Sequence, residues 1–252
     1  MTIIENKKLT PLISLRRVTK KFGGVKAVDD LSFQIETGKI TGIVGPNGSG
    51  KTTLINLLTG MFLIDGGDVL INDVKLNNIK SHEVAFFGMT RTFQTIRLFE
   101  QMTVLDNILL VMTKRNIWGA FFEKHQGYHL KRAEELLTKV GLWNKRNQLA
   151  INLSYGQRKL LEIARVLATD SQIFLLDEPF AGLFPEMRKI VVTIICELRE
   201  EEKTIILIEH NMDLIRELCD EIIVMDSGHL LAQGTPEETL ADARVVQSYL
   251  GK

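Results

Sequence analysis

A chain of 252 residues, 45% hydrophobic and 25% charged, is long enough for one large domain or for a core with a smaller lobe, and its make-up is ordinary globular. Its 31 basic residues balance 31 acidic ones, so no net field draws it toward nucleic acid or an anionic bilayer. Cys196 and Cys219 have no metal-ligand spacing and read as idle thiols of a reducing compartment.

The opening "MTIIENKKLT" lacks the basic-then-apolar order of a secretory signal. No apolar run approaches the roughly 18 residues a spanning helix needs, so any role at a membrane has to run through a partner. In chain order, "LISLRRVTKKF" and "AVDDLSFQI" alternate as half-buried strands do. Arg16, Arg17, Lys20, Lys21 and Lys26 fall in this region; a solvated strand face explains them better than a nucleic-acid patch. "ITGIVG" is more uniformly apolar, as a strand buried on both faces should be. It runs into "GPNGSGKTTLINLLTG", a glycine-rich loop and then a helix whose Leu54, Leu57 and Leu58 share one side and which Gly60 ends. A short strand follows at "GDVLI".

Between Ser81 and Ala168 the pattern turns helical, in "MTVLDNILLVM", "LKRAEELLTKV" and "QRKLLEIARVLA". Buried strands return at "IFLLD" and "TIILIE", with helices between and after them, and short strands at "EIIVM" and "HLLAQG" complete the series. Strand and helix alternation at both ends, around a helical block, implies an α/β core (residues 11–80 and 169–252) with a mainly helical subdomain at 81–168.

Gly45, Pro46, Asn47, Gly48, Ser49, Gly50, Lys51 and Thr52 match G-x-x-x-x-G-K-[ST], followed by Thr53. Glycines in such a loop let backbone N–H groups close around phosphate oxygens. The lysine reaches the β- and γ-phosphates, and the Thr52 hydroxyl ligates Mg²⁺. The bland alternative, a chance glycine turn, does not account for its position between a buried strand and an amphipathic helix. "IFLLDEP" ends a buried strand in Asp177 and Glu178. Strand alternation points these two carboxylates to opposite faces, so the first suits Mg²⁺ and the second suits polarising an attacking water. His210, at the end of "LIEH", is a candidate γ-phosphate sensor, although a lone histidine there is usually just surface.

With "GPNGSGKT", "LSYGQ", "LLDEP" and "IEH" in that order, the chain resembles the ATP-binding subunits of ABC transporters. Gln94 in "TRTFQ" and Phe22 in "KKFGG" extend the match. The resemblance implies a P-loop α/β fold with an antiparallel β subdomain and an inserted helical subdomain, and hydrolysis of ATP with Mg²⁺. It also implies a head-to-tail pair in which "LSYGQ" of one domain caps the ATP held by the other. On it, Ser154, Gly156 and Gln157 would face a partner's γ-phosphate, and Phe22 would stack on adenine. Gln94 would reach Mg²⁺ and couple to a membrane subunit; Asp177 would hold the metal and Glu178 would act as general base. By residue type alone, Ser154 is equally a helix N-cap ahead of a core stripe of Leu160, Ile163, Ala164 and Leu167, and Phe22 is equally a core residue.

A finer resemblance, to the ATPases of branched-chain amino-acid importers and their relatives for urea and short amides, rests on five stretches. They are "TRTFQTIRLFEQMTVLDNIL", "NIWGAFFEKHQGYHLKRAEELL", "LSYGQRKLLEIAR", "LDEPFAGL" and the ending "VVQSYLGK". It implies a peripheral subunit at the cytoplasmic face of the inner membrane. Its partners would be a second ATPase (a different chain favoured over a second copy), permease subunits and, indirectly, an extracytoplasmic solute-binding protein; no nucleic acid is expected. A soluble ABC ATPase acting on ribosomes or DNA is the rival, without the paired cassettes or long coiled coil of those proteins; a small-molecule kinase has no use for "LSYGQ". Two positions depart from the pattern: Tyr155 stands where the wider family has glycine, and Phe184 where it has aspartate or asparagine. An exposed phenylalanine there implies packing against the partner; the alternative is a side chain tucked into its own core.

Overall fold

The computed structural model describes residues 11–76, 80–112 and 124–250. The residues from Asn116 to Glu123 of the importer-like stretch, and the last two residues of "VVQSYLGK", lie outside them. Two compact units divide the chain, Met1–Phe87 with Leu198–Lys252, and Gly88–Glu197.

In the first unit, β1 (Pro11–Phe22) and β2 (Val25–Glu36) pair antiparallel with several register shifts. Arg17 and Asp30 adopt left-handed φ of 53° and 50° beside those shifts, the mark of bulges that tighten strand twist. Three residues of the basic cluster pair locally. Arg17 pairs with Asp30 at 3.0 Å, Lys20 with Asp65 at 3.0 Å and Lys26 with Asp29 at 2.9 Å. Each such pair contributes about 0–1 kcal/mol. β3 (Ile40–Val44) is buried at all five positions and leads through the glycine loop to α1 (Lys51–Leu58). That helix buries Leu54, Ile55, Leu57 and Leu58, and Gly60 follows its end with φ 63°. β4 (Gly66–Ile71) and β5 (Val74–Lys75) complete a four-stranded antiparallel sheet in the order β2-β1-β4-β5.

The second unit carries β6 (Met89–Arg91), α2 (Val104–Met112), α3 (Lys124–Lys139), α4 (Tyr155–Leu167), β7 (Ile173–Asp177) and α5 (Pro185–Glu200), whose last residues pass into the first unit. β6 and β7 pair in parallel. Compactness therefore groups β7 and α5 with the helical block, whereas the sequence reading put residues 169–197 with the α/β core. α4 buries more than an amphipathic stripe: Leu160, Ile163 and Ala164 are buried as expected, Leu167 is half-buried, and Leu161, Lys159 and Glu162 are buried too. On α2, fully buried Asn107 accepts from Phe99 N–H at 3.0 Å and donates to the Phe99 and Thr103 carbonyls at 3.0 and 2.9 Å. One amide side chain thereby fixes the loop that leads out of Gln94, with donors and acceptor all satisfied.

Back in the first unit come β8 (Thr204–Ile208), α6 (Met212–Leu218), β9 (Glu221–Asp226), β10 (His229–Gly234), α7 (Pro236–Leu240) and α8 (Ala243–Leu250). β3 lies between β8 and β9 and is parallel to both. Parallel strands need helical crossovers and end up covered on both faces, which is why β3 and β8 read as unbroken apolar runs. β9 and β10 form a hairpin over Ser227 and Gly228, both left-handed at φ 49° and 84°, as a two-residue turn matched to strand twist requires. Cys196 and Cys219 are free thiols; burial pushes the Cys219 thiol up to about 12, which leaves it unreactive.

Candidate functional site

The glycine loop sits where a buried parallel strand hands over to a helix. Gly50 is the N-cap residue of α1 with φ 101° and offers no side chain to cap it, a conformation that favours glycine and leaves the helix start open to an anion. Lys51 is buried, and its Nζ donates to the carbonyls of Gly45 at 2.7 Å and Pro46 at 3.0 Å, bending the ammonium over its own loop. Ser49 is fully buried, and its Oγ has no hydrogen-bond partner among the described residues. The donor set of such a loop (backbone amides, one ammonium, hydroxyls of Thr52 and Thr53) fits a nucleotide's phosphates and a magnesium ion held partly by them.

Phe22 closes the same unit at the end of β1. It is 44% exposed, so it is no core residue, and Phe62 meets it edge-on with ring centroids 5.2 Å apart. Lys20 Nζ stands 5.4 Å from the Phe22 ring and is itself held by Asp65. A flat, partly exposed ring supported from two sides is a platform for a base. Phe62 was not singled out by sequence reasoning; an exposed aromatic just after the helix stop is the signal that could have found it. His210 is exposed after β8, and its backbone N–H donates to the buried carboxylate of Glu209 at 3.2 Å. Glu209 is a second residue that the sequence reading passed over.

In the second unit Asp177 ends β7 and Glu178 lies just beyond the strand. Asp177 is buried, faces Arg91 Nη2 at 3.6 Å, and its N–H donates to Thr92 Oγ1 at 2.9 Å. Burial pulls the Arg91 guanidinium below its usual range, with Asp177 opposing that shift. Glu178 is half-buried and has φ 48°. A left-handed residue ahead of a proline is strained by about 1–3 kcal/mol, and such strain gathers at working positions. Gln94 is exposed in the loop after β6. Beside it, Phe93 lies between the guanidinium groups of Arg91 and Arg97, at 4.5 and 4.0 Å. Arg165 stands over Phe99 and donates to the Arg97 carbonyl. Arg91, Phe93, Arg97, Phe99 and Arg165 line a cavity of about 500 Å³ together with Glu162, whose carboxyl burial pushes up against the pull of Lys159.

At the start of α4, Ser154 Oγ accepts from Gln157 N–H at 3.4 Å, and Gln157 Oε1 accepts from Ser154 N–H at 3.1 Å. That capping box realises the N-cap reading and leaves Ser154 exposed beside the open helix end. Gly156 is buried so tightly that a Cβ there would stand 2.6 Å from Met187 Sδ. The two departures from the family pattern prove to be neighbours. The Tyr155 ring lies on Gly182, where a Cβ would stand 2.6 Å from Tyr155 Cε1 and φ is 71°. Phe184, two residues on, is 71% exposed, so the core alternative for it is wrong: no apolar neighbours enclose it.

A protein-family model described as "ABC transporter" matches residues 28–181. The chain is 39% identical, over 96% of its length and 98% of the relative's, to the high-affinity branched-chain amino acid transport ATP-binding protein LivG of Escherichia coli (strain K12). It is 36% identical, with the same coverage, to the corresponding protein BraF of Pseudomonas aeruginosa. Among solved structures it resembles the ADP conformation of MJ1267, an ATP-binding cassette of an ABC transporter, with TM-score 0.81 and 32% identity over 96% of this chain and all of that one. It also resembles the ATP-binding cassette MJ0796 in a dimeric post-hydrolysis state bound to ADP and Pi, with TM-score 0.78 and 27% identity over 89% of this chain and 98% of that one.

Proposed function

From the premise that this chain belongs to the ABC transporter family, we propose that it is the ATP-hydrolysing subunit of an importer for branched-chain amino acids. The observation that carries the reading is the glycine loop, set between fully buried β3 and α1 with Lys51 bent over it. Loop amides and Lys51 hold the phosphates, and the Phe22 ring takes the adenine. Thr52, Asp177 and Gln94 would hold Mg²⁺, which would neutralise charge on the phosphate oxygens. Glu178 takes the proton of the attacking water, and His210 orients the γ-phosphate. Ser154, Gly156 and Gln157 face the nucleotide of a second ATPase, a different chain in preference to another copy. The whole chain then acts as one ATP-binding domain, with the catalytic core at 11–80 and 169–252 and the signature helix in 81–168.

No helix among the described residues is long and apolar enough to cross a membrane. The subunit accordingly works from the cytoplasmic face through permease subunits, with the extracytoplasmic binding protein reached through them. The cavity beside Gln94, walled by Arg97, Phe99 and Arg165, is the place we assign to the permease. Removing this chain from its cell abolishes uptake of labelled leucine, isoleucine and valine. Undiminished uptake of all three overturns the solute assignment, and loss of urea or short-amide uptake in its place establishes the alternative.

Exposed Phe184 and Tyr155 (71% and 53%) belong, in this reading, to the face met by the partner ATPase. Burying a phenylalanine side chain contributes about 1.5–3 kcal/mol, or roughly ten- to a hundredfold in association. Phe184→Asn is therefore expected to weaken the ATP-bound assembly by that factor in analytical ultracentrifugation. The melting temperature of the isolated subunit hardly changes, because exposed substitutions stay within about 0.5 kcal/mol. An assembly of undiminished affinity removes Phe184 from the interface.

A further inference from the structure

We propose that Lys159 and Glu162, the buried pair on α4, are positioning residues for Gln94: they hold the backbone of Phe93 on both sides, so the helix that starts after Ser154 sets where the Gln94 side chain departs. The proposal rests on the reading of Gln94 as a residue that reaches Mg²⁺.

Lys159 is 1% exposed and Glu162 4%. Their charged ends stand 3.6 Å apart, beyond ordinary hydrogen-bond reach, and both turn to one residue instead. Glu162 Oε1 accepts from the Phe93 N–H at 3.2 Å, and Lys159 Nζ donates to the Phe93 carbonyl at 3.4 Å. That carbonyl shares a planar peptide with the Gln94 N–H, so the lysine fixes the plane from which Gln94 leaves. One turn further along α4, Arg165 donates to the Arg97 carbonyl. Positions 159, 162 and 165 form a single i, i+3 row, and one face of the helix thereby fastens the chain on both sides of Gln94. Thr92 is tied from the opposite direction. Its N–H donates to the Leu175 carbonyl at 2.9 Å, and its Oγ1 accepts from the Asp177 N–H at 2.9 Å. Gln94 therefore follows two residues, one held at the end of β7 and the other held by α4.

Stability does not account for the pair. Burying opposite charges costs more in desolvation than their attraction returns unless further hydrogen bonds complete them, and well-packed apolar residues of similar volume are often as stable or more so. The bonds that complete this pair go to Phe93, which converts a costly burial into a fixed backbone position. An α-helix is stiff over two turns, and Glu162 lies about two turns from the first residue of α4, Tyr155. A shift at the Ser154 end is accordingly passed to Phe93.

The test compares two double variants of the full chain. Lys159→Met with Glu162→Leu removes both bonds to Phe93 at similar side-chain volume. Lys159→Met with Glu162→Gln keeps an acceptor for the Phe93 N–H. Amide hydrogen exchange at Phe93 and MgATP affinity are read on the chain alone, and kcat on the purified transporter. In the leucine variant we expect faster exchange at Phe93, unchanged MgATP affinity and a kcat about ten- to a hundredfold lower, the loss expected when a working group is misplaced. The glutamine variant restores slow exchange and most of kcat. Combined with Gln94→Ala, the leucine variant is no slower than Gln94→Ala alone, because the pair acts through that side chain. Unchanged exchange at Phe93, wild-type kcat despite faster exchange, or losses that add to those of Gln94→Ala overturn the positioning role. A leucine variant that does not fold makes the pair an element of the folded core and overturns it likewise. Wild-type kcat in Gln94→Ala sinks the reading of Gln94 itself, whatever the pair does.

Discussion

Glu178→Gln slows ATP hydrolysis by about 10²–10⁴-fold, the loss expected when a positioned general base is removed, while ATP still binds. The geometry supports that split. Asp177 is buried and engaged with Arg91 and Thr92 at the strand end, whereas Glu178, just beyond the strand, is half-buried. The left-handed φ of 48° at Glu178 is a conformation glycine would adopt without strain, yet a carboxylate stands there. Glutamine keeps the shape and the hydrogen-bonding reach of that side chain and loses only its basicity. With hydrolysis blocked, ATP stays between two ATPase domains and the assembly persists, so light scattering of the variant with ATP and its partner should show a lasting rise in mass. Turnover near the wild-type rate removes Glu178 from the role of base.

Lys51→Ala fails at an earlier step: ATP affinity drops by about a hundredfold or more. The ammonium is the loop's only full positive charge, and each charge-assisted hydrogen bond it would give a phosphate oxygen contributes about 1.5–3 kcal/mol. Its present acceptors, the Gly45 and Pro46 carbonyls, are local, so it exchanges one pair of bonds for a stronger charged pair when phosphates arrive. Titration of the variant with MgATP decides the matter, and wild-type affinity would mean that nucleotide binds elsewhere.

The sequence alone determined those features that each depend on a few neighbouring residues. Unbroken apolar runs identified β3 and β8 because a strand covered on both faces has no polar side to show. Glycine at 60 marked the end of α1 because a left-handed residue there suits glycine. Serine ahead of the apolar stripe offered the N-cap of α4 because that bond closes within one turn. The glycine loop and the carboxylates after "IFLL" were legible for the same reason: spacing along the chain sets which atoms converge.

Only the tertiary structure decided which distant residues meet. Arg91 beside Asp177, Asn107 fastening the loop at Phe99, Tyr155 lying on Gly182 and Phe62 bracing Phe22 each join two elements. None has a period or a fixed spacing to give it away. Composition did not reveal that Lys159 and Glu162 would be buried together, 3.6 Å apart, since charged residues on a helix normally face water. Nor could hydrophobicity say whether Phe184 turns inward or outward, because that depends on whether neighbouring elements leave room for it. Local rules act through bonds and turns of a few residues; side-chain neighbours are chosen by packing, and packing is settled by the whole fold at once.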